Sequence, residues 1–355
     1  MVSNKLQPIG ARRAFELYLD DCENELSPNT IEAKRYRLGF FVDWCEGATN
    51  VERGTTDTDL SDVDDRISNL NELSGRDIIQ YKNWRKDGLK TVSLKTQLSE
   101  LRTFLRFCVS IDAVDESVPA NMQVPKLDKG ENVRETMMSE EEATTLCNFL
   151  ERYQYASLDH VLILLLWQMG ARMSGVHSLD VEHIDTENNR ITIEHRPEDG
   201  TRLKNKEDGE RVVTVPASTI SILEDYVEVN RTPVTDEYGR RPLLSSDSGR
   251  MDKRTLSKHV YKWTCPCQYN EPCPADKDPY ECEYTGSLRG AVKCPHNTRP
   301  HDIRRGSITS NLRKDVPERA ISDRMNVSIN TLDRHYDERT ETEKAEQRRE
   351  WFNED

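Results

Sequence analysis

Apolar side chains recur every three or four positions over residues 11–109, and the alternation of a half-buried strand is missing there, so this stretch reads as helical. Ser27-Pro28 opens one helix, with proline tolerated at the first position, and Ile31, Arg35, Leu38, Phe41 or Val42 and Cys45 fall on one of its faces. A second helix starts near Ser74 and carries Tyr81, Lys82, Trp84, Arg85 and Lys86. A third sets Leu94, Leu98, Leu101, Leu105 and Cys108 on one stripe. Between the first two, residues 47–72 are rich in Thr, Asp, Asn and Ser and read as a solvated loop.

Pro119, Pro125 and a mixed-charge stretch over 126–135 then interrupt the pattern, as an interdomain linker does. Beyond it come a helix from Ser139, a strongly apolar helix over His160 to Met169, strands near 190–194 and 211–215, and further helices. The expected fold is mainly α with a small antiparallel β-sheet (α+β). It divides into a helical domain at 10–115, a linker at 116–136 and a second, larger domain at 137–355.

With 355 residues, 35% of them hydrophobic, the chain is long enough for two cores. The longest apolar run, Val161 to Trp167, is far short of the ~20 residues of a membrane span. The N-terminus shows no export pattern, so a cytoplasmic protein is expected. A net charge of -14 argues at first sight against nucleic acid. Affinity, however, depends on where the 50 Lys and Arg gather. Lys34 and Arg37 sit on the first helix above, Lys82 and Arg85 on the second, Lys95 and Arg102 on the third. A basic helix face is ordinarily just solvated, but the repetition on three helices makes these six the candidate DNA contacts. The acidic excess also suits a protein that works in molar salt.

Three clusters could carry chemistry. Gly170-Ala171-Arg172 follows the apolar run, so a buried helix would deliver a guanidinium to an interior cleft, although an Arg at a helix C-terminus often only meets the dipole. Pro300 suits a helix start, and His301 and Arg304 then share a face, a good phosphate clamp. His335-Tyr336 lies downstream, where a lone Tyr would ordinarily be packing.

In this order and spacing the three clusters resemble the active-site boxes of tyrosine recombinases of the phage integrase type, over about residues 10 to 352. The resemblance implies a core-binding domain and a catalytic domain that clamp double-stranded DNA. It also implies a homo-tetramer on two DNA sites, with no nucleotide and no metal needed for catalysis. It assigns Arg172, His301 and Arg304 to the phosphate, Tyr336 as nucleophile, and a catalytic lysine in the hairpin 202–216, Lys204 with Lys206 as competitor. Two departures stand out. Gly175 occupies the place of a usual Glu or Asp, and Asn326, one residue out of register, stands where His or Trp is usual. A clamp that has lost catalysis and serves regulation is the alternative.

Cys267, Cys273, Cys282 and Cys294, next to Cys265 and His296, have loose metal-ligand spacing, and either a structural zinc or reduced thiols would account for them. The tail after Tyr336, from Arg339 to Phe352, reads as a charged helix. In the family such a tail docks on a neighbouring protomer; a frayed terminus is the other reading.

Overall fold

The computed structural model describes residues 6–48, 66–127, 136–337 and 339–352. Most of the expected 47–72 loop, the 128–135 part of the linker and the side chains of His335, Trp351 and Phe352 lie outside the described residues. Chain contacts divide the protein into two compact units, residues 1–134 and 135–355.

The first unit is helical: α1 (Ala11–Glu23), α2 (Pro28–Cys45), α3 (Gly75–Arg85), α4 (Thr91–Ser110) and α5 (Ser117–Asn121). Pro28 begins α2, where the Ser27 hydroxyl accepts from the Thr30 N–H at 3.3 Å. At the start of α3 the Asp77 carboxylate accepts from the Ser74 N–H at 2.9 Å. The five-residue stripe of α4 is buried throughout, against Phe41, Trp44 and Tyr81. Val118 and Met122 join the same core, so the first domain continues past the expected border at 115.

Burial also corrects the reading of the basic residues. On α2 it is Lys34, not Arg35, that takes the stripe position. A buried ammonium must be paired, and Lys34 donates to the Tyr18 hydroxyl at 2.8 Å and pairs with Glu100. Arg85 is likewise used inside the unit, donating to Gln97 Oε1 at 2.8 Å with its guanidinium 3.8 Å from the Phe40 ring centre. Lys34 and Arg85 therefore hold the helices together and are not spare cations for phosphates. Arg37 lies 3.9 Å from Glu100. Lys82, Lys95 and Arg102 are half-buried, the Arg102 Nε without a partner among the described residues.

The second unit contains α6 (Glu140–Tyr153), α7 (Leu158–Met169), α8 (Met173–His177), β1 (Ile184–Asp185), β2 (Arg190–Ile193), β3 (Arg211–Thr214), α9 (Ala217–Asp225), β4 (Ser245–Ser246), β5 (Gly249–Arg250), α10 (Lys253–Trp263), α11 (Leu288–Ala291), α12 (Pro300–Arg313), α13 (Glu318–Met325), α14 (Ile329–His335) and α15 (Glu341–Phe352). The apolar run became α7, which is buried almost all round and packs against α6, α10 and α12. No described helix is long and apolar enough to cross a membrane.

Both expected strands form, antiparallel, with Ile191 opposite Val213, and β1 adds a third in the order β1-β2-β3. The buried Asp180 carboxylate gathers three guanidinia, Arg240 at 2.6 Å, Arg196 at 3.6 Å and Arg250, and Arg250 also meets Asp236 at 2.9 Å. Arg240 donates on to Thr201 Oγ1 at 2.8 Å, which ties the arm between β2 and β3 to this hub.

Candidate active site

α7 ends at Gly170 in the left-handed region, φ 54°, where a Cβ would stand 2.6 Å from Met325 Sδ, so glycine is strongly favoured. The chain then turns through Arg172, whose Nη1 donates to the Asn326 carbonyl at 2.9 Å and to Asn326 Oδ1 at 3.2 Å. Arg304 reaches the same place from α12. It is 1% exposed, and its Nη1 donates to the Gly170 carbonyl at 2.6 Å and the Met325 carbonyl at 2.7 Å. α12 comes this deep because Gly306 lacks a side chain; a Cβ there would sit 1.8 Å from the Met138 carbonyl oxygen.

Burial lowers the pKa of Arg172, and burial together with the neighbouring Arg172 pushes Arg304 down to about 10. The Arg304 Nε is buried without an acceptor among the described residues. Guanidinia packed this closely, one with an unspent donor, are suited to binding an anion.

Tyr336 follows α14, which the Ser328 hydroxyl caps at the Thr331 N–H. Its ring packs with Ile308, Leu312, Met325 and Leu332, and the Thr309 hydroxyl donates to its carbonyl at 2.7 Å. The hydroxyl thus lands 3.2 Å from His301 Nε2, and the Arg304 guanidinium lies 5.8 Å from the ring centre. Partial desolvation, then Arg304, holds His301 below its ordinary pKa, so the imidazole is neutral at pH 7 and free to accept a proton.

The candidate lysines lie on the arm between β2 and β3. Lys204 and Lys206 are both exposed, but Lys204, on the turn before a short 3-10 helix, lines a small cleft with Arg172, Gly175, Asn205, Arg211 and Asn326, and Lys206, which opens that helix, does not. Asn326, at φ 51°, spends its amide within the protein. Its Nδ2 donates to the Asp208 carbonyl at 2.6 Å and its Oδ1 accepts from Asn205 Nδ2 at 2.6 Å, so it clips the arm to Arg172. Gly175 brings no carboxylate and packs on Ala171 and Ile193; Asn326 orients Arg172 instead.

Two further arginines were missed. Arg211 lines the cleft, donates to the carbonyls of Arg324 and Gly209, each at 2.7 Å, and is pushed down to about 10 by burial, then by Arg304 and Arg172. Arg324 ties the Thr214 and Gln168 carbonyls. The available signal was an arginine opening the apolar strand Arg211-Val212-Val213, a position costly to bury without an acceptor or anion.

The tail helix α15 lies on its own unit. Gln347 Nε2 donates to the Leu312 carbonyl at 2.9 Å, Glu343 pairs with Arg313 at 3.1 Å, and Lys344 with Asp337 at 3.1 Å. The expected zinc residues line one cavity, but among the described residues no three His, Cys, Asp or Glu are placed to hold a metal ion.

Residues 136–343 match the model of the phage integrase family. Tyrosine recombinase XerC of Shewanella amazonensis is 23% identical over 242 residues, 68% of this chain and 70% of that protein. The chain spans 56% and 66% of the length of two other curated relatives. The Tn1549 transposon integrase in complex with a circular intermediate DNA superposes with a TM-score of 0.66 at 14% identity, over 96% of this chain and 99% of that one. A lambda integrase tetramer bound to a Holliday junction gives 0.59 at 11% identity, over 92% and 80%.

Proposed function

The chain belongs to the phage integrase family, and from that premise we propose that it is a site-specific tyrosine recombinase, cutting and rejoining double-stranded DNA through Tyr336. The observation that carries this is the Tyr336 hydroxyl held 3.2 Å from His301 Nε2 beside the Arg304 guanidinium.

In this mechanism His301 takes the phenol proton as the Tyr336 oxygen attacks the scissile phosphorus. Arg172 and Arg304 bind the non-bridging oxygens and hold the charge of the transition state, the part that metal ions take in other phosphoryl-transfer sites. The P–O5′ bond breaks, Lys204 gives its proton to the leaving oxygen, and a 3′-phosphotyrosine remains. A 5′ hydroxyl from another strand then attacks that phosphorus, its proton passing to Lys204 while His301 returns one to the phenol. The bond energy stays in the ester, so no nucleotide is consumed.

Exchange between two duplexes needs four such sites, hence four copies on DNA, as in the lambda integrase tetramer on a Holliday junction. The helical first unit contributes backbone contacts through Arg37, Lys82, Lys95 and Arg102. The test uses synthetic duplexes from the repeats flanking the gene, nicked beside the cleavage position. The wild type should form a denaturation-resistant adduct in the presence of a chelator, and Tyr336→Phe none; adduct in the variant would refute the nucleophile.

A further inference from the structure

Between α10 and α12 the chain makes an excursion, residues 265–297, that its own apolar residues cannot hold. Only Cys265, Tyr269 and Ala291 are buried among its hydrophobics, and Tyr269 belongs to the main core of the unit. Tyr280 is 98% exposed. A segment this long, with a 3-10 turn at Pro266–Tyr269 and the four-residue α11 as its regular structure, needs a staple. Its ends are pinched: Thr264 Oγ1 donates to the Thr298 carbonyl and accepts from the Thr298 N–H, both at 2.9 Å.

The excursion contains five of the nine cysteines, and all five face one cavity of about 100 Å³ together with His296 and Lys277. Cys273, Cys282 and Cys294 each begin a tight turn, their carbonyls accepting from Asp276 at 2.9 Å, Thr285 at 3.2 Å and Asn297 at 3.5 Å. Cys265, the buried member of the group, also donates its thiol to the Tyr261 carbonyl at 3.1 Å.

We propose that residues 265–297 form a zinc-stapled module in which Cys267, Cys273, Cys282 and Cys294 bind one Zn²⁺ as thiolates. Four soft thiolates around a common cavity, three of them at the start of tight turns, suit tetrahedral zinc. Each thiol gives its proton to solvent, and Lys277 offsets part of the negative charge. The sulfurs line the cavity without converging on one point, so binding closes the module as it fills it.

Metal analysis tests this on the full-length reduced protein, independently of any DNA cleavage. About one zinc per chain is expected, exchangeable for Co²⁺ with the visible bands of a tetrahedral thiolate complex. Cys273→Ser/Cys282→Ser should lose both signals with an unchanged far-UV circular dichroism spectrum, while Cys265→Ser and His296→Ala keep them. Trypsin should cut within 265–297 after chelation and leave the rest intact. Zinc near zero with no cobalt bands, zinc retained by the double variant, or a thiol count showing these cysteines paired as disulfides would each overturn the proposal.

Discussion

His301 lies in α12 and Tyr336 just beyond α14, yet Nε2 of one stands 3.2 Å from the hydroxyl of the other. The contact sets a pH dependence. His301 must be neutral to take the phenol proton, and its pKa is held below the ordinary ~6.5. Lowering the pH through that depressed value protonates the ring, so single-turnover cleavage should hold from neutrality to below pH ~6.5 and only then fall. His301→Gln should slow cleavage by about 10²–10⁴-fold and abolish that acid limb. A limb unchanged in the variant would assign the titration elsewhere.

Arg211 lines the same cleft as Arg172. Removing one preorganised donor to a developing oxyanion typically costs about 10²–10³ in rate. Arg211→Ala is expected to lose that much in single-turnover cleavage while binding duplex DNA at low salt. An unchanged rate would leave it a structural residue.

Gly306 lets α12 approach the Met138 backbone, and an added methyl would stand 1.8 Å from that carbonyl oxygen. Gly306→Ala should destabilise the second unit by about 1–3 kcal/mol or more, seen as a lower urea midpoint. Wild-type stability in this variant would contradict the packing.

Asp180 holds Arg240 and Arg250. Asp180→Asn leaves two buried guanidinia undercompensated, with an expected loss of about 3–5 kcal/mol. Equilibrium unfolding would measure it, and a loss well under 1 kcal/mol would show the hub to be well solvated.

A chain with a net charge of -14 repels itself at low ionic strength. Its melting temperature should rise with added potassium chloride as the Debye length shortens from ~30 Å at 0.01 M to ~3 Å at 1 M. Full stability at low salt would count against adaptation to brine.

What was legible in the sequence was what one helix or one short motif could announce. The α4 stripe, the run that became α7 and the clusters around Arg172, Arg304 and Tyr336 depend on local period and spacing. Lys34 and Arg35 both lie near the 3.6-residue line through Ile31 and Leu38, so which of them turns inward depends on Tyr18 and Glu100. β1, β4 and β5 have two residues each, too few to show alternation. The work of Asn326 was hidden because its partner Arg172 lies 154 positions away. The tail's docking depends in the same way on Arg313 and the Leu312 carbonyl.

The paired bonds between Thr264 and Thr298 make a neck. Whatever is hung beyond a closed neck can lengthen, shrink or be exchanged for another module over generations while the helix carrying the histidine keeps its place. The molecule thus has a socket for novelty a few residues from its most demanding chemistry.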